Sequence, residues 1–132
     1  MITPVNFKLA KLLKEKGFNE VCQKWYSVEG GLYYQDEFDN NRGFIPVCEC
    51  EAPTIAEVVM WLLESYKIYI HISPHGQEED LLEDCRWWFS VYKNKLYNLV
   101  GGSKVTKDIE DFGSLTEAYE AAIEYTLKNL LP

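Results

Sequence analysis

The chain has no stretch approaching the roughly 18 uninterrupted apolar residues of a membrane span. Its start, Met-Ile-Thr-Pro and then a lysine-bearing amphipathic segment, lacks the basic lead, apolar run and small-residue cleavage site of a secretory signal. These absences set the expectation of a cytoplasmic protein without membrane association. In a reducing compartment Cys22, Cys48, Cys50 and Cys85 are then free thiols rather than a disulfide framework. Positive charge is scarce, with 13 Lys and Arg against 21 Asp and Glu, a net of −8. A duplex-binding surface neutralises phosphates with Lys and Arg, so no direct nucleic-acid binding is expected of so acidic a chain.

Signature motifs are missing too. No paired C-x-x-C set offers four tetrahedral zinc ligands. Gly101-Gly102-Ser103-Lys104 keeps only the end of a phosphate loop, because Leu96 and Tyr97 stand where the first glycine and its spacing are needed; the segment reads as a turn. The acidic run Glu78–Asp84 lacks the Asp-x-Asp-x-Asp-Gly spacing of a calcium loop. No cofactor is expected.

What is present suits one globular domain. The 132 residues are 47% hydrophobic, with four Trp, nine Tyr and six Phe, so a real core forms without staples. Charge is uneven: residues 1–24 carry five lysines against Glu15 and Glu20, whereas Glu78, Glu79, Asp80, Glu83 and Asp84 are all acidic. A solvated helix face and an acidic loop account for both.

Three helices are marked by their ends. Thr3 is an N-cap candidate with Pro4 at the first helical position; Val5, Leu9, Leu12 and Leu13 then share a face, and Gly17-Phe18 supplies a left-handed stop. Thr54 and Glu57 form a capping box before Ile55, Val58, Val59, Leu62, Leu63 and Tyr66. Ser114 and Glu117 repeat that box before a third helix over 115–130, whose Glu117, Glu120 and Glu124 lie on its wet side. Two-residue alternation gives a strand at Lys67–Ser73, ended by Pro74 and Gly76. Cys22–Val28 with Leu32–Phe38, and Arg86–Lys93 with Leu96–Val100, read as hairpins. Gly43–Glu51 adds an irregular strand, and Gly101–Gly113 is a polar connector. Without βαβ repeats, the expectation is α+β: one antiparallel sheet of about five strands, packed by three helices.

Three blocks carry a resemblance. Leu12-Leu-Lys-Glu-Lys-Gly-Phe, the stretch from Ala52 to Ile70 with its Pro-Thr-x-x-Glu and Met-Trp-Leu, and Thr116-Glu-Ala-Tyr-Glu-Ala-Ala-Ile-Glu-Tyr-Thr-Leu are similar to short uncharacterised proteins of Bacteroides-type gut bacteria and their phages. They cover about a third of the chain in the same order, and the resemblance implies no activity, ligand or catalytic residue. Helix 54–66, three strands and helix 115–130 also resemble the α-β-β-β-α order of double-stranded-RNA-binding domains. Those bring lysines to phosphates from the second helix, where this chain has Glu117, Glu120 and Glu124, so the function does not follow the topology.

Candidate chemistry is thin. Cys48 and Cys50 share one side of a strand, with Cys22, Cys85, His71 or His75 available to complete a metal site, and a His with Cys85 is the candidate nucleophilic pair; buried structural thiols are the simpler account. The doublets Trp25-Tyr26, Tyr33-Tyr34 and Trp87-Trp88 lie in strands, so one member of each faces away from the core. Either the N-terminal helix covers that second face, or Trp25, Tyr34, Tyr69, His71, Trp87 and Trp88 offer a surface to a protein partner or a second copy. The leading expectation is a small non-catalytic interaction or accessory protein, phage- or mobile-element-encoded by the resemblance. The alternatives are a metal-binding or enzymatic domain using Cys48 and Cys50 with His71 and His75, and an acidic protein masking a nucleic-acid-binding partner.

Overall fold

The computed structural model of the protein describes residues 3–35, 46–75, 86–95, 98–102 and 112–132. In chain order the elements are α1 (Phe7–Glu15), β1 (Lys24–Ser27), β2 (Leu32–Tyr34), β3 (Cys48–Glu51), α2 (Ile55–Tyr66), β4 (Ile68–His75), β5 (Arg86–Lys93), β6 (Leu99–Gly102) and α3 (Leu115–Asn129). The class is α+β with three helices. The single sheet of about five strands is corrected: among the described residues six strands form two three-stranded antiparallel sheets, ordered β2-β1-β3 and β4-β5-β6. β3 takes the free side of β1, pairing Tyr26 with Cys50, and α2 follows it before β4 begins.

The α1 start moves. Thr3 and Pro4 are not its cap; Val5 N–H donates to the Pro53 carbonyl and Ile55 N–H to the Thr3 carbonyl, in an extended bridge between Pro4 and Thr54. Those backbone groups are spent on the entry to α2, so the helix begins after Asn6, whose side chain accepts from Leu9 N–H at 2.8 Å. Its exit is as expected, with Gly17 at φ +99° and Phe18 N–H closing onto the Leu13 carbonyl. Phe18 is buried edge-on against Trp61 at 5.2 Å.

α2 has its full capping box: Thr54 accepts from Glu57 N–H while the Glu57 carboxylate accepts from Thr54 N–H. Lys67 is not strand. It is the helix's left-handed cap at φ 57° and ψ 36°, which turns a helix directly into a strand with no connector. Nor does Pro74 end β4, which runs on to His75. Among the described residues β4 pairs only with β5, and on an edge strand the missing proline N–H faces the unpaired side. At α3, Ser114 accepts from Glu117 N–H, but the Glu117 carboxylate reaches Gly113 N–H at 3.3 Å instead of closing a box.

The second hairpin also shifts: β6 runs Leu99–Gly102, so the glycine pair read as a turn forms its end, and the expected strand residues 96–97 lie outside the described residues. Gly101 lets the Tyr125 ring lie on the strand, since a Cβ there would stand 2.3 Å from Tyr125 Cε1. The expected strand portions at 36–38 and 43–45, and most of the connector, lie outside the described residues.

One continuous core joins everything. Val5 ahead of α1, Leu9 and Leu13 from α1, Tyr26 and Cys50 from the first sheet, Val58 and Leu62 from α2, Ile70, Phe89 and Val91 from the second sheet, and Ile123 and Leu127 from α3 are all buried in it. Among the described residues, no helix is long and apolar enough to cross a membrane.

Candidate functional site

β4 and β5 pair without a break from Ile68↔Lys93 to His75↔Arg86. Opposed residues share a face and successive residues alternate, so this register sorts the side chains. Ile70 with Val91 and Ile72 with Phe89 turn towards the helices; Tyr69 with Tyr92, His71 with Ser90 and Ser73 with Trp88 turn away. A register shift between Val91 and Tyr92 sets Leu99 of β6 opposite Tyr92 and adds it to the outward face.

That face is open at one end. Tyr69 is 37% and Leu99 47% exposed, and His71 is exposed beside them. The Tyr69 ring lies 6.3 Å from Tyr92 and 6.4 Å from His71. The other end is closed: Ser90 is buried, Trp88 is half-buried, and Ser73 Oγ is enclosed with no hydrogen-bond partner among the described residues. None of the outward residues named here is Asp or Glu.

Of the six residues expected to meet a partner, Tyr69, His71 and Trp88 share this face. Trp87 does not, since it pairs with Pro74 and bridges to Phe112 on the opposite side. Trp25 and Tyr34 belong to the other sheet and point to opposite sides of it. Trp25 stacks on Tyr33 at 5.0 Å, while Lys24 Nζ sits 4.7 Å above the Tyr34 ring. The expected cover is also placed: α1 lies on the Tyr26 side, where Tyr26 Oη donates to the Val5 carbonyl at 2.7 Å and its ring meets Phe7 at 5.3 Å. It leaves Trp25 and Tyr33 on the far side of their sheet, and Tyr69 and Tyr92 on the outward face of theirs.

Tyr92 and Leu99 were missing from the expected set. Tyr92 was legible, because Trp88, Ser90 and Tyr92 alternate along one strand. Leu99 was not, since its position depends on the register shift.

Cys48 and Cys50 sit in β3 and His71 in β4 of the other sheet, while Cys85 and the His75 side chain lie outside what is described. Among the described residues no group of three His, Cys, Asp or Glu is placed to hold a metal. Burial, reinforced by the Glu57 and Glu51 carboxylates, pushes the Cys22 thiol up to about 12. Burial, with Glu49 and Cys48 adding to it, pushes Cys50 up to about 11. Cys48 is raised in the same way, by burial first and then by Glu51. All three are held as thiols, whereas nucleophiles and metal ligands need thiolate.

What the outward face offers chemically is binding: flat aromatic surface, an aliphatic side chain and one imidazole. No family model, curated protein or solved structure matches the chain.

Proposed function

We propose that this chain is a non-catalytic interaction module and that it meets its partner through the outward face of the β4–β5–β6 sheet. The observation that carries the reading is the group of exposed Tyr69, His71 and Leu99 beside half-buried Tyr92, with no Asp or Glu among the described residues of that face, in a chain of net charge −8. Tyrosines bury large area at low entropic cost and are favoured interface anchors. A charge of −8 repels a second copy over most of the surface, but the described residues of this face put no carboxylate between two copies, so self-association is the first partnership to test. The similarity of three sequence blocks to short gut-bacterial and phage proteins supplies the setting, a cytoplasmic accessory protein of a phage or mobile element.

The test is sedimentation velocity over a concentration series, with Tyr69→Glu and Leu99→Glu beside the parent. A photo-crosslinking group at position 69 in the native cell captures a heterologous partner in parallel. The expected outcome is association that both substitutions abolish, or a position-69 crosslink that Leu99→Glu abolishes. A parent that stays monomeric and yields no crosslink, or variants that associate unchanged, would reject the reading.

A further inference from the structure

A second surface stands apart from the sheet face. Between α1 and α3 lies a groove of about 540 Å3, inside the roughly 300–1,000 Å3 typical of binding sites. Its apolar floor is Leu9, Leu12, Ala121 and Phe112. On α3 its wall runs from Glu117 to Lys128 through Glu120 and Glu124, successive positions of one helical stripe covering about 16 Å at 1.5 Å per residue. The wet side of α3 is therefore the wall of a groove.

The charges on that wall are not equivalent. Glu124 is satisfied by Lys128 at 2.6 Å and Lys8 at 3.5 Å, and the Lys128 hydrogen bond, working against burial, holds its carboxyl below the usual range. Among the described residues, Glu120 accepts from the neutral Asn6 amide and Glu117 from Gly113 N–H. Among the described residues neither has an ion-pair partner. The groove thus combines a strip of apolar surface with two carboxylates, one turn apart, that have no ion-pair partner among the described residues, while Lys8, Lys11 and Glu15 line it from α1.

We infer that this groove receives a short, basic, amphipathic helix from a partner protein, with its apolar row on Leu9, Leu12 and Ala121 and its Lys or Arg on Glu117 and Glu120. A helix laid along two others matches both the length and the stripe of the site. A small amine would answer the carboxylates and leave the apolar floor wet. A second copy is a poor occupant, because the chain's lysine-bearing amphipathic helix, α1, already buries Leu9, Ala10 and Leu13 in its own core.

The test uses the full chain and a fluorescein-labelled Leu/Lys amphipathic peptide of about four helical turns, followed by anisotropy. A Leu/Glu peptide of the same pattern and spermine serve as comparison ligands. The Leu/Lys peptide should bind and the Leu/Glu peptide should not. Ala121→Trp, which fills the groove, and the pair Glu117→Gln with Glu120→Gln should each weaken binding about tenfold, a change of about 1.4 kcal/mol. Glu64→Gln, on exposed α2 surface, should leave it unchanged. If Ala121→Trp lowers the melting temperature, the glutamine pair carries the test. The inference fails if the groove variants bind as the parent does, or if Glu64→Gln weakens binding equally. It also fails if spermine binds with the same sensitivity to Ala121→Trp.

Discussion

Replacing Gly102 with alanine should cost about 3 kcal/mol of folding stability. Gly102 sits in β6 at φ +154°, in a region that side-chain-bearing residues occupy only under strain of about 1–3 kcal/mol. A Cβ there would stand 2.7 Å from the Phe89 carbonyl oxygen and 3.1 Å from Ser90 Cα. Both atoms are backbone in the central strand, so relief means moving β5 itself, and overpacking of that kind costs about 1–3 kcal/mol more. At about 2.1 cal/mol/K per residue, unfolding this chain of 132 residues carries roughly 0.28 kcal/mol/K, which converts 3 kcal/mol into a melting-point loss of roughly 11 °C. Thermal unfolding followed by circular dichroism measures it. Gly101→Ala is the internal comparison, since the three atoms nearest its Cβ all belong to the Tyr125 side chain; that clash should be relieved in a Tyr125→Ala background, appearing as a non-additive double-mutant cycle. A Gly102→Ala protein melting within about 3 °C of the parent would refute the strand placement and restore the turn.

Two further outcomes follow from local geometry. Asn6→Ala removes the α1 cap and should destabilise by about 1 kcal/mol, whereas Thr3→Ala, despite its better-looking Thr-Pro context, should change the chemical-denaturation midpoint hardly at all. The cysteines predict an alkaline limb. Cys22 and Cys50 keep their protons to about 12 and about 11 when folded, while the unfolded chain loses them near the ordinary thiol value of 9.0. Their contribution is therefore complete below about pH 9 and is lost as the pH rises towards 11–12. Cys22→Ala should flatten that decline in pH-dependent melts, and an unchanged slope would count against the burial argument.

Residues that act within one element were readable in advance. Thr54 with Glu57 closes a box inside four residues, Gly17-Phe18 completes a stop within one turn, and the Ile68, Ile70, Ile72 alternation needs no partner to be recognised. Asn6 was missed because the competing use of Thr3 and Val5 comes from Pro53 and Ile55, nearly fifty positions away. Pro74 was misread because tolerance of proline in a strand depends on whether that strand is an edge, which is a property of the sheet.

The candidate surfaces divide along the same line. Aromatic doublets in strands require, from the two-residue pitch alone, that one ring of each pair leave the core. Which rings gather was decided by pairing: the β4–β5 register brings Tyr69 and Tyr92 together, the bulge at Val91 adds Leu99, and the division into two sheets separates Trp25 and Tyr34 from them. The helical spacing of Glu117, Glu120 and Glu124 placed them on one stripe of α3 from the outset. That the stripe borders a groove came from α1 docking beside it, tied through Asn6 to Glu120 and Lys8 to Glu124. Periodicity and capping are short-range, and the sequence carries them in full; register, edge status and grooves arise between segments distant in the chain, so only the packed molecule determines them.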